Sequence, residues 1–190
     1  YAMCTVFPHQ RVLSKRDGLR VYQCVAMGHY IDAVSLEFRN DNDMWTCHVG
    51  LYQITCNTKN HVDSYAQMQK GKELGQFKTA LKRVYGTMPV DIRFFWMVGK
   101  LQEDCPKVKG AKLLQVKGAT LHLTPTTTEL QCTAWNFIKD KSKVYTASRK
   151  DQVGGMPEYV VVYNPSYTSQ AAAAKASCHL YETVASHPPT

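Results

Sequence analysis

The sequence predicts a single α+β domain in which an antiparallel β-sheet is packed by two or three helices, and three observations carry that prediction. Many segments of the 190-residue chain alternate apolar and polar side chains, as half-buried strands do. A basic central segment and an alanine-rich one near the C terminus instead repeat at helical steps. No Gly/Ser or Pro-rich linker divides the chain, which is long enough to bury a core without disulfide or metal staples.

Residues 1–18, with Pro8, Gly18 and the cations Arg11, Lys15 and Arg16, read as a basic N-terminal arm, and 19–190 as the globular part. Strand-like runs cover 19–27 and 31–39, although Ala33, Val34 and Phe38 also fit a helical period. Residues 40–43 form a polar turn, and 44–56 alternate as one long strand. Asp63 or Ser64 caps a short helix through Lys70, and Gly71 and Gly75 weaken its join to the next.

In that second helix Leu74, Phe77, Leu81 and Val84 mark an apolar stripe. Lys70, Lys72, Lys78, Lys82 and Arg83 occupy most of the remaining circumference, offset by Glu73. Gly86 and Pro89 end the helix. The strand expected at 90–101 is apolar on both faces, with Ile92, Phe94 and Trp96 alternating with Arg93, Phe95 and Met97, as suits a position beneath a helix in mid-sheet.

A charged connection, 102–112, leads to a strand at 113–124 interrupted by a bulge at Gly118. Residues 130–138 and 144–147 are expected to pair as a hairpin across the cationic turn Lys139, Asp140, Lys141, Ser142 and Lys143. A strand at 159–163 follows the breakers Gly154, Gly155 and Pro157, and a helix at 170–184 follows Ser169.

Charge narrows the partners more than the fold. Twenty-three Lys and Arg against 15 Asp and Glu give a formal +8, which favours nucleic acid, phosphate-rich assemblies or an anionic membrane face. The cations form four clusters: Arg11, Lys15, Arg16 and Arg20; Lys70 to Arg83; Lys100, Lys107, Lys109, Lys112 and Lys117; and Lys139, Lys141, Lys143, Arg149 and Lys150. One such cluster is an ordinary solvated face, whereas four with few interleaved acids suggest a polyanion-binding protein. Each cation near an anionic leaflet contributes about 1 kcal/mol, so five on one face give roughly 5 kcal/mol. That is weak for a lone molecule, and tight attachment needs many copies acting together.

Seven cysteines, an odd number with no C-x-x-C pair, exclude a complete internal disulfide framework and favour reduced thiols in a cytosolic or nuclear setting. Asn164-Pro165-Ser166 is blocked as a glycosylation acceptor by its proline. The chain opens on Tyr1 without a signal-like apolar run, so an upstream segment is expected. With no run of about eighteen apolar residues, membrane contact is expected to be peripheral.

Local signatures of catalysis are missing: there is no Gly-rich phosphate loop, G-x-S-x-G, H-E-x-x-H or EF-hand loop. The chain is therefore expected to be no enzyme, with no catalytic residues, cofactor or metal. Cys47, His48, Cys56 and His61 come nearest to a metal cluster, but an adjacent pair on a strand points to opposite faces, so buried thiols and an exposed imidazole are expected. Nothing local marks Cys105 or Cys132 as a nucleophile paired with a distant histidine. Phe94, Phe95 and Trp96 fit a core strand better than a base-stacking platform, and no RNP-type Lys/Arg-Gly-Phe pattern is present.

The middle of the chain resembles the rhabdovirus matrix proteins of the mononegaviruses. The residues that carry the likeness are the strand around 49–54, the helix end Arg83-Val84-Tyr85-Gly86-Thr87-Met88, the strand Ile92-Arg93-Phe94-Phe95-Trp96-Met97-Val98-Gly99, and Lys117-Gly118-Ala119-Thr120-Leu121-His122-Leu123. The likeness spans roughly 46–124 and is one of pattern.

It implies a structural protein beneath the virion envelope, and in the host cytoplasm or nucleus during infection. Such a protein self-associates, binds the anionic inner membrane and the viral nucleoprotein–RNA complex, condenses the nucleocapsid for budding and has the envelope glycoprotein as a further partner. Lys70, Lys72, Lys78, Lys82, Arg83, Lys107, Lys109, Lys112, Lys139, Lys141 and Lys143 would be the contact residues, crowding one flank. On that resemblance the family's flexible N-terminal arm would be absent or shortened in this sequence, and Pro188-Pro189-Thr190 only faintly matches a late-domain motif. Where some relatives carry an apolar loop, Glu103 to Lys109 is charged, favouring electrostatic docking over insertion. Two alternatives are a secreted, disulfide-bearing β-barrel that binds a ligand and a thiol- or metal-dependent enzyme.

Overall fold

The structure, a computed structural model, describes residues 18–23, 30–55, 63–99, 112–150 and 155–163. Eight strands form one open sheet in the order β1-β2-β3-β4-β8-β7-β6-β5. They are β1 (Gly18–Gln23), β2 (Ala33–Asp41), β3 (Met44–Thr55), β4 (Val90–Val98), β5 (Lys112–Val116), β6 (Ala119–Pro125), β7 (Ser142–Arg149) and β8 (Glu158–Tyr163). Three helices, α1 (Ser64–Lys70), α2 (Lys72–Tyr85) and α3 (Thr133–Lys141), complete the α+β fold expected from the sequence.

The sheet is not antiparallel throughout. β3–β4 and β4–β8 are parallel, and the outer pairs are antiparallel. Antiparallel neighbours need only a turn, which Asn42 and Asp43, both at positive φ, supply between β2 and β3. The β3–β4 pair instead needs a crossover, and α1–α2 provides it. β4 thus lies buried on both faces, and Phe94, Phe95, Trp96 and Val98 are 0–1% exposed, a core strand as expected.

Alternate residues of the central strands feed two cores. Phe94, Trp96, Val49, Leu51 and Val160 pack with Tyr65, Met68, Leu74, Phe77 and Leu81 of α1 and α2. On the opposite face Tyr52, Phe95, Tyr159 and Val161 pack with Ala134, Trp135 and Ile138 of α3. Tyr52, Phe95 and Tyr159 lie side by side on β3, β4 and β8 with their rings stacked at 5.2 and 5.3 Å.

The helical segment divides at Gly71, as its weak join predicts, and the Asp63 side chain accepts the Ala66 N–H at 3.2 Å as the cap of α1. The apolar stripe of α2 differs in one residue: Tyr85 takes the core position, 5.0 Å from the Phe38 ring, and Val84 is 39% exposed. Residues 84 and 85 both follow Leu81 at helical steps, but 85 falls in line with Leu74 and Leu81 at the centre of the stripe, whereas 84 falls at its edge.

Two further expectations are corrected. The segment 130–138 is not a hairpin strand: Ala134, Trp135 and Ile138 recur at helical steps within α3 and are buried together with the preceding Leu130. Gly118 marks no bulge, since Val116 pairs with Ala119 and Lys117-Gly118 is a two-residue hairpin loop with Gly118 at φ 86°. The described strands form an open sheet with β1 and β5 at its edges, not the closed barrel of the alternative reading. The arm at 1–17, the connection within 102–111 and the helix at 170–184 lie outside the described residues.

Candidate functional site

The outer surface of the α1–α2 layer is cationic. Burial of Leu74, Phe77, Leu81 and Tyr85 turns Lys72, Lys78, Lys82 and Arg83 toward solvent, and Lys70 is exposed at the end of α1. None of the five forms an ion pair among the described residues. Lys78 and Lys82 stand at the rim of a groove of about 720 Å³ between α2, the turn into β4 and the start of β8. Leu81, Met88, Val90, Ile92 and Met156 give it apolar walls.

The other sequence-predicted cations do not join this surface. Lys139 is exposed on α3, and Lys141 is that helix's last residue, so both belong to the opposite layer. Lys143 is exposed at the start of β7. Lys112 opens β5 at one sheet edge, while Lys107 and Lys109 lie outside the described residues. The positive charge is therefore divided between two layers rather than gathered on one flank.

Arg149, assigned to a cationic cluster by sequence, is an internal anchor. Its Nε and Nη2 donate to Glu158 at 2.9 and 2.7 Å, and its Nη1 donates to Asp63 at 2.6 Å. The guanidinium also lies 4.5 Å from the centre of the Tyr65 ring. Trp96 Nε1 donates to Glu158 at 2.6 Å, so this fully buried carboxylate is shared by β4 and β7. Burial opposes the charge of Arg149, but its two carboxylate partners prevail and raise its pKa above the ordinary arginine value. Arg149 also lies at a cleft of about 960 Å³ between α1, the β5–β6 hairpin and the end of β7.

On the α3 face, Glu37 reaches from β2 to accept the Thr133 and Ala134 N–H groups at 2.8 and 3.0 Å. It caps a helix whose own N-cap residue, Cys132, makes no side-chain cap. Nearby, Arg93 donates to Asp91 at 3.1 Å and covers the Trp135 ring at 4.1 Å. His48 Nδ1 lies 3.6 Å from Asp91 Oδ2, and its ring meets Trp135 edge-on at 5.3 Å. Burial works to raise the Asp91 pKa, but His48 and Arg93 together hold it below the ordinary aspartate value.

Neither described cysteine suits nucleophilic work. Burial pushes the Cys47 thiol up to about 12 and, with the nearby Glu37 charge, raises that of Cys132 as well. Cys47 and His48 serve opposite cores, as their adjacency on a strand requires, but His48 is buried rather than exposed. Cys56, His61 and Cys105 lie outside the described residues, among which no group of three metal-ligating side chains occurs.

Sequence reasoning found the α2 cations by their period but missed the Arg149–Asp63–Glu158 cluster and the Glu37 cap. The one local signal for the first is Glu158 at the head of the apolar run 159–162, an acid with no place in a core strand unless it is paired. No family model, no curated protein and no solved structure matches the chain.

Proposed function

We propose that this chain is a non-enzymatic structural protein of the viral matrix type, which docks on polyanions through the α1–α2 layer and acts in many copies. The observation that carries the reading is the exposed set Lys70, Lys72, Lys78, Lys82 and Arg83, without ion-pair partners among the described residues. Unpaired exposed cations contribute little to folding, and an anionic surface gives them their largest gain, about 1 kcal/mol each. Cations on α3, across the sheet, support a bridging role between an anionic inner membrane and a nucleoprotein–RNA complex. Self-association multiplies weak contacts into stable attachment, and the viral assignment itself rests on the sequence resemblance.

Reversal of Lys78, Lys82 and Arg83 to glutamate is expected to abolish pelleting with phosphatidylserine vesicles at about 0.1 M salt, where the Debye length is about 10 Å and contact-range charge interactions persist. Wild-type pelleting by this variant would overturn the reading. Light scattering against protein concentration and ionic strength tests self-association, which predicts reversible growth rather than a fixed small size.

A further inference from the structure

The geometry points to the cleft between α1, the β5–β6 hairpin and the end of β7 as a seat for the sugar–phosphate backbone of a single RNA strand. This rests on the polyanion-docking reading and assigns the RNA contact to a site distinct from the outer surface of α2.

The cleft measures about 960 Å³ and is open to solvent along its length, a trough rather than a closed pocket. Among the described lining residues Asp63 is the one carboxylate, and it is already engaged by Arg149 Nη1 at 2.6 Å and by the Ala66 N–H at 3.2 Å. Every donor-bearing nitrogen of Arg149 is in turn held by Asp63 or Glu158, which fixes the base of the cleft. Lys70 at the end of α1 and Lys150 just after β7 are exposed, line the cleft and form no ion pair among the described residues. Gln69, Gln115 and Thr120, also exposed, add amide and hydroxyl groups. Free cations joined by neutral polar groups match a phosphodiester with its ribose hydroxyls.

Two features choose among anionic ligands. Of the two aromatic rings in the described lining, Tyr65 is 3% exposed beneath Arg149 and closed to bases, and only the half-buried His122 imidazole is left for stacking, so contacts to the backbone dominate. A flat bilayer cannot follow a concave wall down to Arg149, whereas one strand can enter it.

The test uses the full chain and a labelled uridine homopolymer, with affinity measured across a salt series. Lys70→Ala with Lys150→Ala is expected to weaken binding at least about tenfold and to reduce the slope of log affinity on log salt by roughly 1.4, about 0.7 per lost phosphate contact. Thr120→Trp, which obstructs the cleft without changing charge, is expected to weaken binding in a protein that melts like wild type. Wild-type affinity and slope in these variants would overturn the assignment, as would a wild-type chain that binds phosphatidylserine vesicles but no RNA. Failure of the parent reading is seen separately, as vesicle pelleting that survives reversal of Lys78, Lys82 and Arg83.

Discussion

Arg149 on β7 and Glu158 at the head of β8 face each other through two hydrogen bonds, Nε to Oε2 at 2.9 Å and Nη2 to Oε1 at 2.7 Å. Removing either partner strands a charge in a dry site. Glu158→Ala and Arg149→Ala are each expected to cost about 3–5 kcal/mol in urea unfolding. Arg149→Met combined with Glu158→Leu is expected to lose less than the sum of the two singles, because the pair is removed together, although Asp63 still loses its guanidinium and Trp96 Nε1 its acceptor. A double variant as unstable as the sum of the singles would contradict this account.

Two glycines respond to the same substitution with opposite signs. A methyl group at Gly50 would lie 2.6 Å from Ser35 Oγ and collide with the Tyr52 phenol, which are hydrogen-bonded to each other at 2.8 Å. Gly50→Ala is expected to destabilise by about 1–3 kcal/mol. Gly75 sits inside α2 with nothing near its missing Cβ, so Gly75→Ala is expected to stabilise by about 1 kcal/mol. Thermal denaturation of both variants measures the contrast.

Asp91 gives stability a pH dependence of defined sign. Its folded-state pKa is lowered, so the unfolded chain takes up its proton first as pH falls. The contribution is complete above the unfolded aspartate value of about 3.9 and disappears as pH drops through the lower folded value. Asp91→Asn is expected to flatten that acid limb in a series of urea midpoints and to leave the neutral-to-alkaline limb unchanged.

Cys47 and Cys132 are expected to resist alkylation while the protein is folded. With its thiol held at about 12, Cys47 is ionised in only about one molecule in ten thousand at pH near 8. Peptide-resolved mass spectrometry after brief iodoacetamide treatment checks this, with rapid labelling of both expected once urea unfolds the chain. Fast labelling of native Cys47 would contradict its burial.

What was legible in the sequence was what depends on neighbours along the chain. The β2–β3 hairpin shows in the polar turn containing Asn42-Asp43, α2 in the spacing of Leu74, Phe77 and Leu81, and the double burial of β4 in its unbroken aromatic run. The parallel centre was hidden because pairing direction follows from which segments meet, and Phe94 carries the same side chain beside Leu51 in either direction. α3 was mistaken for a strand because its helical period spans few residues and contains Trp135 and Ile138, which also favour sheets. The exposed α2 cations were legible from periodicity. Arg149 was not: whether a cation meets solvent or two carboxylates depends on Asp63, distant in sequence, and on the strand that carries Glu158.

The position of β8 between β4 and β7 also bears on biosynthesis. Before residues 158–163 emerge, the β1–β4 and β5–β7 groups share no ladder, and each presents a raw inner border. The strand that sutures them is the last described to leave the ribosome, so a nascent chain stalled before Glu158 holds two half-built sheets prone to pair with other chains.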